Sequence, residues 1–207
     1  GAVFTGLPIG NYDLIVMDEN GCMEFGAAEI IQTLPIQISN NKADLTCFEN
    51  ASGFIQLGAT GGNSGYQYSI DNGATYFASG SFFSLAAQVY NVTVMVQEGC
   101  IQDTTITLTE PAALAVSATA TDVLCNNACD GTITGSGNGG TANYMYSVDG
   151  GTIFNVSGFF DNLCSTTYNV IINDMNSCAD TTSATIGTPL GVTLTLALTP
   201  STCGDAN

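Results

Sequence analysis

Cysteine is the residue type with the widest chemistry in this chain of 207 residues. A cysteine can form a disulfide, bind a metal ion or act as a nucleophile. The chain has no histidine, and the pair Cys125-x-x-x-Cys129 has no matching second pair, so the usual zinc patterns are missing. We therefore predict structural disulfides, which form and persist in oxidising compartments. The eight cysteines are Cys22, Cys47, Cys100, Cys125, Cys129, Cys164, Cys178 and Cys203.

The remaining side chains do not indicate catalysis. Histidine, the usual general base, is absent, and Lys42 is the single basic residue, so cationic side chains cannot form an oxyanion or phosphate clamp. A pair of carboxylates could still hydrolyse a glycoside, but the aspartates cluster in predicted turns, where Asp is favoured for backbone reasons. We therefore predict that the chain is not an enzyme. These aspartates are Asp18, Asp71, Asp149 and Asp174.

Calcium is the metal ion that the turn residues could bind, and no other cofactor is predicted. The segments MDENG at 17–21 and NDMN at 173–176 place carboxylates and amides at the same hairpin tip of two different copies. Ca²⁺ prefers oxygen ligands of this kind. The matching tip VQEG at 96–99 keeps only Glu98, although a site intrinsic to the repeat should persist in every copy. Solvated acidic turns are therefore the favoured interpretation, and a calcium site is the alternative. Its candidate ligands are Asp18, Asn20, Asp174 and Asn176.

The charge balance limits the partners of the chain. It carries 18 acidic residues against one basic residue, for a formal net charge of −17. It therefore cannot neutralise nucleic-acid phosphates or bind an anionic membrane surface, and no apolar run predicts membrane insertion of this segment. Disorder is not indicated, because 45% of the residues are hydrophobic and only 9% are charged.

An internal repeat of 78 residues organises the chain. Adding 78 to the number of Phe4, Tyr12 or Cys22 gives the same residue type in the next copy. The sequence therefore contains the end of one repeat, two complete repeats and the N-terminal strand of a further repeat. The predicted bounds are 1–35, 36–113, 114–191 and 192–207.

The pattern within each repeat predicts a small β-sandwich. In the first complete copy, Tyr66, Tyr68 and Ile70 alternate with other residues, as expected for a half-buried strand, and DNG at 71–73 supplies a turn with positive φ. About seven short strands with frequent turns are typical of immunoglobulin-like and fibronectin-type sandwiches. We therefore predict an all-β chain of tandem immunoglobulin-like or fibronectin-III-like β-sandwich domains.

A leucine and a tyrosine five positions apart recur where strand F of the sandwich would begin. The spacing resembles a tyrosine corner, whose hydroxyl bonds back to the backbone at the turn that enters the strand. A plain core aromatic is the alternative, and both interpretations give the residues a structural role. The pairs are Leu7/Tyr12, Leu85/Tyr90 and Leu163/Tyr168.

Cys129 and Cys164 fall outside the period, because the previous copy has Ala51 and Ala86 at the equivalent positions. Two cysteines gained together suggest a bond between them, and the loops that carry them lie at the same end of the predicted sandwich. This bridge would enclose 34 residues. It would stabilise the fold by roughly 3 kcal/mol.

Three pairings fit the periodic cysteines. Cys47 could bond to Cys100 within a repeat, to Cys22 nearby in sequence, or to Cys178 across a repeat junction. Cys47 precedes strand B and Cys100 follows strand F, which runs the same way, so they should lie roughly 20 Å apart. A disulfide needs Cα atoms within about 7 Å, and the same argument opposes Cys22–Cys47. The junction bond Cys47–Cys178 is favoured, and the bond within the repeat stays open. The cysteines whose partners would then lie beyond this sequence are Cys22, Cys100, Cys125 and Cys203.

Several motifs occur in a fixed order, and in this sequence they are CNNACDGTI, GGTANYMYSVDGG, LCSTTYNV and ENGC. Together they resemble the SprB-type repeats of giant surface adhesins of gliding bacteria, and the resemblance covers the whole chain in phase with the period. QVYNV departs from the usual glycine before tyrosine, and QEGC and MNSC depart from Asn-Gly-Cys. The resemblance implies type IX secretion, attachment to the bacterial cell surface, an extracellular mechanical or adhesive role, and no known catalytic residues.

The resemblance also suggests a modification. The segments DTT at 103–105 and DTT at 180–182 lie at nearly equivalent places on strand G. They look like the Asp-Thr-x type of O-glycosylation acceptor used by bacteria that carry this repeat family, with Thr104 and Thr181 as the acceptors. Ordinary strand threonines are the alternative.

The favoured function is a non-catalytic extracellular structural repeat that forms the stalk or filament of a bacterial surface adhesin. The alternative is a carbohydrate-binding or calcium-dependent adhesive module that uses loop aromatics such as Tyr76, Phe77 and Phe154. Against it, Phe77 becomes Asn155 in the next copy. The expected partners are neighbouring repeats, joined end to end, and identical chains in a filament. Charge repulsion opposes contact between bare chains side by side.

Overall fold

The computed structural model describes residues 2–198. These residues form fourteen β-strands. No helix occurs among them, and hence none that is long and apolar enough to cross a membrane. The strands are β1 (Gly10–Met17), β2 (Met23–Ile30), β3 (Gln37–Ala43), β4 (Gly53–Thr60), β5 (Gln67–Ser69), β6 (Ser81–Leu85), β7 (Val89–Met95), β8 (Ile101–Thr107), β9 (Ala115–Thr121), β10 (Gly131–Asn138), β11 (Met145–Ser147), β12 (Phe159–Leu163), β13 (Thr167–Asn173) and β14 (Ala179–Thr185).

Each complete repeat contains two three-stranded antiparallel sheets. In the first copy the strand orders are β3–β4–β6 and β5–β7–β8, and in the second they are β9–β10–β12 and β11–β13–β14. In the lettering of the immunoglobulin fold these orders are A–B–E and C–F–G. The predicted all-β fold of tandem sandwiches, with its 78-residue period, is therefore confirmed.

A small core of alternating side chains joins the two sheets of the first copy. On β4, Ile55 and Leu57 are buried while Gln56 between them is exposed. On β7, Val92 and Val94 are buried in the same cluster. The period-two alternation that predicts a strand thus also selects the core face. The core of the second copy contains Val123, Ile133, Val170, Ala184 and Ile186.

Outside the two complete repeats, the described residues contain two strands. β1 and β2 form an antiparallel hairpin and correspond to strands F and G. Residues 192–198, predicted to begin a further repeat, contain no strand. β3 pairs with Gly53–Thr60, and two periods later those partner positions would be 209–216, after the last residue of this sequence. Cys203, with the rest of that segment from 199 onward, lies outside the described residues.

The described chain divides into two compact units. Within residues 2–198, the first unit comprises the residues up to Leu45 with Ala51–Thr109, and the second comprises Thr46–Asn50 with the residues from Glu110 onward. The period assigns residues 46–50 to the repeat 36–113, whereas their contacts place them in the second unit. The loop between β3 and β4 is therefore part of a different compact unit from the strands that it connects.

The buried position 55 provides a test of the core. Ile55→Ala should lower the free energy of unfolding by about 2–5 kcal/mol, because the Ile55 side chain has 0% exposure and its removal leaves a cavity between the sheets. Val89→Ala is the control, since Val89 is 57% exposed, and its cost should be about 0.5 kcal/mol. Urea unfolding measures both values. Equal losses in the two variants would contradict this core.

Candidate functional site

The bond between Cys47 and Cys178 is the first feature of the candidate site. Cys47 lies in the loop between β3 and β4, and Cys178 lies at the tip of the hairpin β13–β14, 131 residues later. Their Cα atoms are 5.7 Å apart, within the usual range for a disulfide. Of the three pairings that fit the periodic cysteines, the structure has the one across the repeat junction.

Hydrogen bonds hold the same loop beside the disulfide. The side-chain amide of Asn176 donates to the Thr46 carbonyl at 3.0 Å and to the Thr141 hydroxyl at 2.9 Å. The Glu49 N–H donates to the Glu110 carboxylate at 2.6 Å, and Glu49 has a left-handed φ of +54°. Sequence reasoning missed these partners, since no local pattern connects residues that lie 61 and 130 positions apart.

The second disulfide joins Cys129 and Cys164. Cys129 precedes β10 and Cys164 follows β12, and these strands pair Gly131 with Leu163, which brings the two loops together. Among the other cysteines of the described residues, Cys22, Cys100 and Cys125 are free and exposed.

The proposed calcium ligands lie at two separate hairpin tips. The Asp18 carboxylate accepts the N–H groups of Asn20 and Cys22, each at 2.9 Å. The Asp174 carboxylate is 2% exposed, and it accepts the N–H groups of Thr141, Asn176 and Cys178 at 2.8, 2.9 and 2.8 Å. Within residues 2–198, no group of three or more His, Cys, Asp or Glu residues could hold a metal ion. These carboxylates thus order the turns, and calcium binding stays a prediction.

The tip of the hairpin β7–β8 differs from the other two hairpin tips because its position 96 is apolar. Val96 occupies the position equivalent to Asp174, is 2% exposed and belongs to the core of the first unit. Gly62 lies against Val96, and a Cβ at Gly62 would approach the valine within 2.8 Å; the equivalent Gly140 lies against Asp174 in the same way, at 2.6 Å. The same buried position therefore accepts either a methyl-bearing side chain or a carboxylate that receives three N–H groups.

All three recurring tyrosines donate a hydrogen bond to a carbonyl four residues upstream. Tyr12 donates to Pro8 at 2.6 Å, Tyr90 to Ala86 at 2.9 Å, and Tyr168 to Cys164 at 3.1 Å. This is the bonding of a tyrosine corner. The leucines of the three pairs lie at or near the start of each corner and are partly buried or exposed: Leu7, Leu85 and Leu163.

The motif Tyr-Ser-x-Asp-x-Gly forms a locked turn. The Ser69 hydroxyl, fully buried, donates to the Asp71 carboxylate at 2.6 Å and accepts the Gly73 N–H at 2.9 Å. Asp71 also accepts the Thr75 N–H at 2.9 Å, and Gly73 has φ of +79°. Hydrogen bonds from Ser69 and then from the Thr75 backbone hold the pKa of Asp71 below its usual value. Sequence reasoning recognised the turn but not the role of the serine.

The second copy repeats this arrangement. The Ser147 hydroxyl is also fully buried, and it donates to Asp149 at 2.6 Å and accepts the Gly151 N–H at 3.0 Å. Hydrogen bonds from Ser147 and from the Ile153 backbone lower the pKa of Asp149. The motif residues are therefore engaged in the turn.

The loop aromatics proposed as glycan contacts are part of the same region. The backbone of Phe77 exchanges two hydrogen bonds of 2.8 Å with Tyr68, and its ring meets Phe82 edge-on, with centroids 5.7 Å apart. Asn155 makes the equivalent backbone exchange with Tyr146. The backbone pairing thus recurs in both copies, whereas the aromatic ring does not. Tyr76 and Phe154 stay predictions as glycan contacts.

The two candidate glycosylation sites differ in their surroundings. Thr104 is partly buried and pairs with Val92, while Thr181 is exposed and pairs with Ile171. The preceding aspartates also differ, because Asp103 accepts the Thr93 hydroxyl at 2.7 Å and Asp180 accepts the Val116 N–H at 2.8 Å. Thr181 is the more accessible acceptor, and modification of either residue stays a prediction.

The lowered pKa values predict how stability depends on pH. A folded-state pKa below the unfolded value of about 3.9 gives stability that is present above that pH and is lost as pH falls through the folded pKa. Asp71→Asn and Asp149→Asn should therefore be less stable than the parent at pH 7, and the difference should shrink below about pH 4. Urea unfolding from pH 7 to pH 3 measures it.

A matched control for this prediction is Asp161→Asn, because Asp161 is exposed and accepts only the neighbouring Asn162 amide. It should leave stability nearly unchanged at each pH. A difference between the Asp71 variant and the parent that is the same at pH 7 and pH 3 would show that the carboxylate charge has no role in the turn.

The Cys129–Cys164 bond should stabilise the second unit. The first complete repeat, which lacks the bond, suggests the variant that tests this. Replacing both cysteines by alanine, the residue at the equivalent positions Ala51 and Ala86, should cost the second unit roughly 3 kcal/mol. Cys125→Ala removes a free thiol and serves as the control. Peptide mapping without reduction should recover the bonded pair. Free thiols at both positions in natively exported protein would refute the bond.

Comparisons with known proteins agree with the repeat and its turns. The SprB repeat family matches residues 39–75 and 117–153, two segments that are one period apart. Each match runs from strand A through the locked turn of Ser69 and Asp71 or of Ser147 and Asp149. No curated protein matches the chain. Two segments of the chain therefore match the SprB repeat, which agrees with the resemblance of its motifs.

Proposed function

We propose that this chain is a non-catalytic, extracellular structural segment of a bacterial surface adhesin, in which tandem repeats form a stalk or filament. The SprB repeat suggests a cell-surface, adhesin-like repeat region. Two disulfides suggest an extracellular environment. Export by type IX secretion and a link to gliding come from the family resemblance and belong to the same proposal.

The observation that carries the proposal is the Cys47–Cys178 bond. It ties a loop of one sequence repeat to the hairpin tip of the next, and it spans 131 residues, more than the 78-residue period. A bond of the same kind that starts one period later, at Cys125, would begin inside the residues enclosed by the first. Bonds of this kind would therefore overlap along a tandem array. Successive repeats would then be joined by a disulfide as well as by the backbone.

The remaining side chains favour a structural role over a catalytic one. The single basic residue, Lys42, is engaged by Asp44 at 2.9 Å and by the Thr107 carbonyl at 2.6 Å. The serine and aspartate of the repeated motif are engaged in their own turn. The glycan-binding and calcium-dependent alternatives have less support, because the loop aromatics drift between copies and the tip carboxylates accept backbone N–H groups.

Charge determines how such segments associate. With a net charge of −17, bare chains side by side repel each other over about 10 Å at 0.1 M salt. We expect end-to-end order, and lateral bundling only at low pH, at high salt or with divalent ions. Electron microscopy of surface material from the source cells should show long thin fibres that bind an antibody against these repeats. Discrete globular particles in its place would count against the stalk.

The disulfide also predicts a mechanical property of the chain. In a chain stretched by its two ends, the intact Cys47–Cys178 bond should prevent the residues between them from extending. In a background with Cys129 and Cys164 replaced by alanine, Cys47→Ser/Cys178→Ser should add roughly 470 Å of contour length on unfolding, since each of the 131 residues contributes about 3.6 Å. Single-molecule force spectroscopy measures this increment.

Serine replacement of Cys22, Cys100, Cys125 and Cys203 in every sample excludes rearranged bonds. The Cys47→Ser/Cys178→Ser chain should behave like the chemically reduced parent. If the oxidised parent unfolds to the same contour length as the double variant, the bond does not bear load and the proposed mechanical role is wrong.

A further inference from the structure

In the second unit, a groove holds the loop Thr46–Asn50. We call it the second groove. One wall is the linker before β9, through Glu110 and Leu114, and the other is the tip of the hairpin β13–β14, through Asn176, Cys178 and Ala179. Cys47 and Phe48 of the loop line the same cavity as Leu114 and Cys178.

Three groups in the second groove hold the loop. The Cys178 sulfur bonds covalently to Cys47. The Asn176 amide donates to the loop carbonyl of Thr46 at 3.0 Å, and Glu110 accepts the loop N–H of Glu49 at 2.6 Å. These three bonds use one sulfur and two backbone groups of the loop, and Phe48 adds an apolar side chain to the same cavity.

The first unit has an open groove at the equivalent position, which we call the first groove. It has a volume of about 440 Å³ and is lined by the linker before β3, by residues 62 and 63, and by the tip of the hairpin β7–β8. All of these residues belong to the first unit. Cys100, the equivalent of Cys178, is a free and exposed thiol on its lining.

The first groove also has polar groups that match the two hydrogen bonds of the second. Gln32 is equivalent to Glu110, and its amide oxygen is an acceptor for a backbone N–H. Glu98 replaces the donor Asn176, but Glu98 accepts the Asn63 amide at 2.6 Å. That amide has a second N–H, which can donate to a loop carbonyl in the place of Asn176.

Two apolar residues in the first groove are uncovered. Leu34 is 75% exposed and Ile101 is 57% exposed, and alanines, Ala112 and Ala179, occupy these positions in the second groove. Exposed aliphatic side chains beside a free thiol match an occupant like Phe48, the apolar residue that follows Cys47 in the loop.

We infer that the first groove is a docking site for the cysteine-bearing loop of another repeat of this kind, which forms a disulfide with Cys100. Two thiols lose two electrons and two protons in this step, and a disulfide oxidant such as oxidised glutathione accepts them to give two thiols. The partner is recognised as a loop of the form Thr46–Asn50, with its cysteine next to backbone groups that bond to Gln32 and Asn63. The inference adds a docking site to this chain, and it does not depend on the proposed function.

A peptide with the sequence of residues 46–50, TCFEN, with blocked ends, tests the inference on the complete oxidised chain. The chain and the peptide are equilibrated in a glutathione buffer, and peptide mapping without reduction gives the occupancy of each free thiol. The control is a rearranged peptide, TFENC, whose terminal cysteine has no residue two positions later to donate an N–H to Gln32 and no phenylalanine after it. The peptide TCFEN should exceed this control at Cys100 by about tenfold, which corresponds to about 1.4 kcal/mol. At Cys125, in the loop between β9 and β10, the two peptides should be equal.

The variant Cys47→Ser provides a positive control, because it frees the Cys178 thiol in a groove whose occupant is seen in the structure. There the peptide should be selected at both Cys100 and Cys178. Selection at Cys178 alone, or equal occupancy by the two peptides at Cys100, would overturn the docking site. Either result would leave the Cys47–Cys178 bond, and the mechanical test of the proposed function, unaffected.

Variants of the groove separate docking from simple thiol reactivity. Gln32→Ala and Asn63→Ala should each lower the selectivity for TCFEN at Cys100, while the mixed disulfide of Cys100 with glutathione itself should stay unchanged. Gln56→Ala, on the exposed face of β4, is the matched control. If Gln32→Ala and Asn63→Ala both keep the full selectivity, the hydrogen-bonding part of the inference is wrong.

Discussion

Each repeat is held together by the burial of a few aliphatic side chains between two three-stranded sheets. In the first unit, Ile55, Val92 and Val94 form the centre of this core. A sandwich of this size gains only about 3–5 kcal/mol from such a core, so each loop at its ends needs further bonds. The tyrosine corners, the locked turns and the disulfides supply these bonds.

A chain with one basic residue cannot stabilise these loops with ion pairs, and the structure has one salt bridge among the described residues, Lys42–Asp44. Its aspartates instead accept backbone N–H groups. Asp44 accepts the Thr109 N–H at 2.9 Å, and Asp122 accepts the Gly187 N–H at 2.6 Å one period later. A carboxylate that receives N–H groups is stabilised without a cation, and this explains how so acidic a chain folds.

Comparison of the two copies shows which features the fold requires and which it tolerates. The buried serine and its aspartate recur with the same bonds, whereas position 96 or 174 is valine in one copy and aspartate in the other. The disulfide Cys129–Cys164 has no counterpart in the first unit. The side-chain contacts of the two equivalent hairpin tips also differ. Asn63 bonds to Glu98 in the first unit, and Thr141 bonds to Asn176 in the second. Turn and core positions are thus constrained by the packing of each sandwich. The residues at the loops and hairpin tips differ between the copies.

Much of the fold followed from the sequence, because strand alternation and a fixed period are local signals. The spacing of Leu85 and Tyr90 and the turn at 71–73 predicted the start of strand F and the turn after strand C. Strand directions in a sandwich also disfavoured a bond between Cys47 and Cys100, since disulfide geometry is short-ranged. The hydrogen bond of Ser69 to Asp71 was missed, because a serine at the end of a strand gives no signal of burial.

The tertiary structure alone decided the contacts between residues far apart in sequence. The period assigns the loop Thr46–Asn50 to the first complete repeat, yet this loop belongs to the second compact unit. The side-chain amide of Asn176, a candidate calcium ligand by sequence, donates to the Thr46 carbonyl. Such partners depend on which loops the fold brings together. The sequence by itself determined the strands, the turns and the pairs of cysteines that geometry allows, while only the folded chain decided what each loop binds, because that depends on distances between residues more than 60 positions apart.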